Sequence, residues 1–193
     1  MSEEKRRAIL DAALHVFAER GFSEARISDI AIAAGVGKGT VYLYFASKED
    51  LLVGVLEFFA DEAVGMIDAV DWVEGDPRAK LQGFLESLFT RFAGNMELLS
   101  IMEQRTFLLN DALKVRGQQL LRDMIGRIHD EVLGRLEIDG AEDYDMEILA
   151  TATIGMLGSF SLYRVLHPNE AQDAVLARMA GELARFFAAA LYP

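Results

Sequence analysis

The 193-residue sequence predicts an all-α protein, a small three-helix head followed by a larger helical body. Three observations lead there. Apolar residues recur at helical spacing through most of the chain, with no strand-like alternation of any length and no internal repeat. Only 3 prolines occur, Pro77, Pro168 and Pro193, which leaves long stretches free to be helical. Hydrophobic residues make up 52% of the chain, enough to fill a core and too many for disorder.

In chain order, a first helix is expected over about residues 3–20. Ile9, Ala12, Ala13, Val16 and Phe17 form its apolar face, and Gly21 stops it. Short helices follow over about 28–34 and 38–44. Ser47 then caps a long fourth helix, because Ser47 and Asp50 have capping-box spacing. Leu51, Leu52, Val55, Leu56, Phe58 and Phe59 leave that helix apolar on nearly every side. Asp76-Pro77 is a strong start signal, a capping side chain followed by proline at the first helical position. The helix it opens runs to about Gly94, and a shorter one covers about 96–109. Asn110-Asp111 opens a long helix ending near Glu137, before the turn Asp139-Gly140. Helices over about 145–166 and 169–191, separated by His167-Pro168-Asn169, complete a set of about nine. The expected division is a head at residues 1–46 and a body at 47–193.

Several function classes find no support. Cysteine is absent, which excludes disulfides, thiolate metal sites and Cys nucleophiles. His15, His129 and His167 are scattered, and each reads as a surface or helix-end residue. Glu142, Asp143, Asp145 and Glu147 cluster beside a turn without the spacing of a calcium loop, and suit a solvated helix start. No phosphate-binding glycine loop or nucleophile elbow is present, so no enzyme activity, cofactor or metal is expected. The longest uncharged run, between Glu147 and Arg164, is too short and too rich in Ser and Thr for a membrane span. No membrane partner and a cytoplasmic location are therefore expected.

The formal net charge of −12 at first argues against nucleic acid. Its distribution answers the objection. Residues 1–50 carry 7 basic and 8 acidic side chains, so nearly all the excess acid lies beyond them.

Residues 27–52, ISDIAIAAGVGKGTVYLYFASKEDLL, carry the function. Ile30, Ala31 and Ala34 give a short helix an apolar face, and Gly35 ends it with a permissive backbone. This is the layout of a helix-turn-helix, whose second helix enters the major groove of DNA. On that helix Val41 and Phe45 share an inward face, whereas Gly39 and Leu43 point away, flanked by Thr40, Tyr42 and Tyr44. A soluble protein gains little by exposing leucine between two tyrosines. Against a duplex, Leu43 can touch a thymine methyl, Gly39 permits close approach, and the hydroxyls reach phosphates or base edges. Lys38 supplies charge at the helix start, and Lys48 is expected to hold a further phosphate at the start of the fourth helix. The competing reading makes the tyrosines core-edge aromatics and the lysines solvated charges. It accounts for each residue singly but not for the constellation.

With these residues in view, the chain resembles the tetracycline-repressor (TetR) family. The glycine-valine turn, Gly39-Thr40, Tyr42-x-Tyr44-Phe45 and Ser47-Lys48-Glu49-x-Leu51 match the family's N-terminal pattern, as does AILDAALHVFAERGF at residues 8–22. The match covers about the first 55 residues; beyond them the likeness lies in helix number and length. Two positions depart from the pattern. Ala25-Arg26 stands where the family has Ser or Thr, so Ser28 is expected to take the cap or the helix to start later. Gly37 replaces the family's Ser or Ala before Lys38.

The resemblance implies double-stranded DNA as a partner, a homodimer, and release of DNA by a small-molecule effector. Gly155, Gly158, Ala180, Gly181 and Ala184 in the last two helices suit a four-helix bundle between subunits, or packing within one chain. For the effector, Leu98, Met102 and Leu109 share one helical face, and Arg105 sits in the middle of it. A guanidinium there needs an answer, either an internal carboxylate, an escape to solvent, or an anionic effector held by Arg105 beside Met102. The segment also resembles fatty-acyl-CoA-responsive members of the family, which implies an acyl-CoA-like ligand. A helical carrier or enzyme with a vestigial head, and a constitutive DNA-binding protein, are the alternative readings.

Overall fold

The computed structural model describes residues 2–68, 76–93, 95, 97–98, 101, 111–133, 145, 148, 151–152, 155, 162–163, 166–167 and 169–191. Seven helices are delimited: α1 (Glu3–Glu24), α2 (Ile27–Ala33), α3 (Lys38–Tyr44), α4 (Lys48–Asp68), α5 (Pro77–Ala93), α6 (Asp111–Leu133) and α7 (Gln172–Leu191). Glu97, Leu98 and Ile101 are also helical, as are Ile148, Thr151, Ala152, Gly155, Leu162, Tyr163 and Leu166. No strand occurs among the described residues. The all-α expectation holds.

Local chemistry accounts for the helix ends. Gly21, with φ 76° and ψ 155°, breaks the regular path of α1, as its lack of a Cβ allows. One further turn follows and buries Phe22 against Phe17, ring centroids 5.5 Å apart. The Ser47 hydroxyl accepts the Asp50 N–H at 3.0 Å and so caps α4 as expected. At α5 the Asp76 carboxylate accepts the Arg78 N–H at 3.1 Å, ahead of Pro77 at the first helical position. The Asp145 carboxylate likewise accepts the Ile148 N–H at 3.1 Å, which gives this member of the acidic cluster a capping role.

The chain divides into two compact units, each with its own core. The first comprises Met1–Ala60 with Met96–Leu121. Its interior is built from Ile9, Leu10 and Phe17 of α1, Ile30 of α2, Val41 of α3 and Leu51 and Leu52 of α4, with Leu98, Ile101 and Leu113. Gly54 allows α4 its close approach, since a Cβ there would lie 2.7 Å from the Phe45 ring and 3.3 Å from Leu10.

The second unit comprises Asp61–Asn95 and Arg122–Pro193. Its centre is the pairing of α5 with α7, in which Leu81, Phe84, Leu85 and Phe89 meet Val175, Leu176, Ala180, Ala184 and Ala188. The three alanines form one ridge at fourfold spacing, small enough for the helices to approach closely. Ala180 and Ala184 therefore serve packing within the chain, and Gly181 lies beside Glu86 of α5.

Candidate nucleic-acid interface

α2 and α3 form a helix-turn-helix that rests on α1. The turn is closed by the backbone. Gly35 takes φ 67°, a left-handed conformation that an L side chain would strain, and the next N–H, of Val36, reaches back to the Ala31 carbonyl at 2.9 Å. That bond and the Gly35 N–H to the Ile32 carbonyl at 3.1 Å satisfy carbonyls at the end of α2 and aim α3 away from it. Val41 and Phe45 then anchor α3 in the core, as their spacing predicts.

The opposite side of α3 is bare. Leu43 is 71% exposed and Tyr42 47%. Lys38 is exposed at the helix start, its ammonium 5.9 Å from the centre of the Tyr42 ring. A Cβ placed on Gly39 would meet nothing within 4 Å, and its φ is not one that demands glycine. Thr40 and Tyr44 are half-buried at the edges of this face. Lys38, Gly39, Thr40, Tyr42, Leu43 and Tyr44 thus lie on one short helix, with apolar, hydroxyl and cationic groups together.

Three site residues have partners that the sequence did not reveal. The Tyr44 hydroxyl accepts the Ser2 N–H at 3.0 Å and donates to the Ser2 carbonyl at 3.2 Å, which ties the start of the chain to α3. The Lys48 ammonium donates to the carbonyls of Phe22 at 2.7 Å, Ser23 at 3.1 Å and Ala25 at 3.1 Å, and stands 4.6 Å from the centre of the Phe22 ring. An ammonium has three N–H donors, so none is left for a phosphate. Ser28 does not cap α2. The cap position is Arg26, in extended conformation without a side-chain hydrogen bond, and the half-buried Ser28 hydroxyl donates to Asp29 at 3.4 Å. Asp29 also binds Arg20 at 2.6 Å, which places a carboxylate in the first turn of α2, where the helix dipole favours it.

Sequence reasoning passed over Ile32, which is 79% exposed on α2. The signal was available, since at about 100° per residue Ile32 lies roughly opposite the buried Ile30 and shares a side with Ser28. Arg105 and Met102, the residues expected to meet an effector, lie outside the described residues, as do Gly158 and the side chain of His129. No group of three side chains suited to a metal ion occurs among the described residues, and no described helix is long and apolar enough to cross a membrane.

Residues 9–55 match the model of the family described as bacterial regulatory proteins, tetR family. The chain is similar to the fatty acid metabolism regulator protein of Bacillus subtilis (strain 168), with 29% identity over 114 residues, 59% of either protein. It spans 59%, 34% and 44% of the lengths of three curated relatives that it matches. Among solved structures, the fatty acid degradation regulator FadR from Bacillus halodurans superposes with a TM-score of 0.75 over 96% of each chain, at 26% identity. FadR from Bacillus subtilis, in a crystal structure with stearoyl-CoA, superposes with a TM-score of 0.69 over 92% of this chain and 96% of that one, at 24% identity.

Proposed function

We propose that the chain, whose residues 9–55 match the model of the tetR family of bacterial regulatory proteins, is a transcriptional repressor released from DNA by a small-molecule effector. The observation that carries the reading is Leu43, 71% exposed at the centre of the outward face of α3. Leaving a leucine in water forgoes about 1.5–3 kcal/mol of burial. A glycine within a helix, as at Gly39, costs up to about 1 kcal/mol against alanine. A major groove accounts for both, because Leu43 then meets a thymine methyl and the bare backbone at Gly39 lets α3 approach the base edges. In this reading Lys38, Thr40, Tyr42 and Ser28 lie at phosphates or base edges around that contact, while the Tyr44 hydroxyl is held by Ser2.

A homodimer fits the exposed residues of the stretch 145–166. Ile148, Ala152, Gly155, Leu162 and Leu166 are exposed, and their spacing puts them on one face of the helix predicted there. An apolar stripe of that kind suits pairing with its symmetry mate. The dimer would read an inverted repeat with half-sites about one helical turn apart. The effector is proposed to be acyl-CoA-like on the strength of the FadR likeness. Its binding is proposed to displace α4 and so respace the two recognition helices. With DNA as the proposed partner, a cytoplasmic location is proposed as well.

Footprinting of DNA flanking its own gene tests the reading, with and without stearoyl-CoA. An inverted repeat should be protected, and Leu43→Ala should lower the ratio of operator to random affinity by roughly tenfold. Equal weakening on both DNAs would mean that Leu43 does not face the bases. Absence of any protected site would favour a ligand carrier.

A further inference from the structure

Among the described residues, one buried side-chain nitrogen has no hydrogen-bond partner. It is the Nζ of Lys80, in the first turns of α5 in the second unit. Several described carboxylates of that unit are engaged elsewhere, and neither Glu86 nor Asp123 bonds the Lys80 Nζ. Glu62 binds Arg91 at 2.7 Å, and Asp61 binds Arg127 at 2.7 Å. Glu170 binds Arg178 at 2.7 Å and His167 at 3.2 Å, Glu182 binds Arg185, and Asp76 caps α5. An ammonium has three donors and no means of closing them on itself. Burying it without an acceptor is among the costliest arrangements a fold can carry. Lysine ordinarily avoids that cost by extending its head to water. Lys80 instead keeps its head inside, one residue before the buried Leu81 and four before the buried Phe84 on the same helix.

We infer that Lys80 is the anchor of a ligand site in the second unit, and that its ligand joins an anionic group to an apolar body. The anion supplies the missing acceptor, and the apolar body is that of the acyl-CoA-like effector proposed above. The inference rests on the effector reading proposed above and adds the residue that recognises the effector's charge.

Two probes share this chemistry and differ in the source of charge: stearate presents a carboxylate, and stearoyl-CoA presents phosphates. Calorimetric titration of the intact protein with each identifies which group Lys80 takes. Lys80→Met keeps the length of the side chain and removes the charge. It should weaken the binding probe by roughly 10- to 150-fold, the worth of a hydrogen bond to a charged group. Lys80→Arg should restore most of the affinity. Operator binding without ligand should be the same in all three proteins. Ligand-free Lys80→Met should melt higher than the wild type, because an unanswered buried charge has gone. If Lys80→Met binds the probe as the wild type does, the assignment of Lys80 falls while the effector reading stands. If it melts lower with unchanged probe affinity, Lys80 is a structural residue. If the wild type binds neither probe yet holds its operator, the anion site and the acyl-CoA class both fail, and the DNA-binding reading survives.

Discussion

Replacing Lys48 with methionine keeps the side-chain stem and deletes three hydrogen bonds at once, those to the carbonyls of Phe22, Ser23 and Ala25. These carbonyls lie where α1 gives way to α2, so the ammonium ties α4 to the corner of the head. A hydrogen bond to a charged group contributes about 1.5–3 kcal/mol, but water can replace part of this bonding at carbonyls near the surface. The ammonium also stands 4.6 Å from the centre of the Phe22 ring, worth roughly 0.5–1 kcal/mol. A loss of about 2–3 kcal/mol follows, or a fall in melting temperature of roughly 4–12 °C for a chain of this size. The discriminating assay is the salt dependence of operator affinity, measured by fluorescence anisotropy alongside thermal melts. A phosphate contact at Lys48 would contribute about 0.9 to the slope of log affinity against log salt, so a dimer lacking it would lose about 1.8. With its donors spent on carbonyls, Lys48→Met should leave the slope unchanged while lowering the melting temperature. A flattened slope with an unchanged melt would refute the clamp and return Lys48 to the DNA surface.

Two glycines should respond to alanine in opposite senses. At Gly54 the added methyl meets the Phe45 ring at 2.7 Å, so overpacking of about 1–3 kcal/mol should outweigh a helix-propensity gain of up to about 1 kcal/mol and lower the melting temperature. At Gly39 nothing lies within 4 Å, so alanine should stabilise the free protein by up to about 1 kcal/mol while weakening operator binding; unaltered DNA affinity would remove Gly39 from the interface. His15 is held above its ordinary pKa by its hydrogen bond to Glu97 and then by the Glu97 charge, which outweigh desolvation, with a lesser contribution from the Glu19 charge. A raised folded-state pKa means that its contribution is complete below the unfolded value of about 6.5 and is lost as pH rises through the folded value. The difference in urea stability between the wild type and His15→Gln should therefore be present at pH 5.5 and vanish by pH 9, and a difference independent of pH would dismiss the pair.

Where the sequence spoke clearly, the determining forces are local. Ser47 with Asp50, and Asp76 with Pro77, act within one turn of chain, and both caps occur where they were read. Val41 and Phe45 are four residues apart on a single helix, so periodicity alone settled which side of α3 is buried and left Leu43 on the other. The start of α2 was less legible. Arg26 offers no acceptor, so no cap signal marks a helix that tertiary packing of Ile27, Ile30 and Ala31 stabilises instead.

The residues whose roles shifted are those whose partners lie far along the chain. Lys48 finds acceptors 26, 25 and 23 residues away, and Tyr44 finds Ser2 at a separation of 42. In a motif both look like free polar tips, because a side chain's donors are visible in a sequence and its acceptors are not. The small residues near the C-terminus pose the same problem in apolar form. Alanine permits close approach whichever helix approaches, so Ala180 and Ala184 suited a subunit interface as well as the α5 side that buries them. Lys80 is the limiting case. Its sequence neighbours, Ala79 and Leu81, give no sign of it, since what distinguishes it is an acceptor that never arrives. Absence of a partner is a property of the folded surroundings alone, which a sequence cannot display.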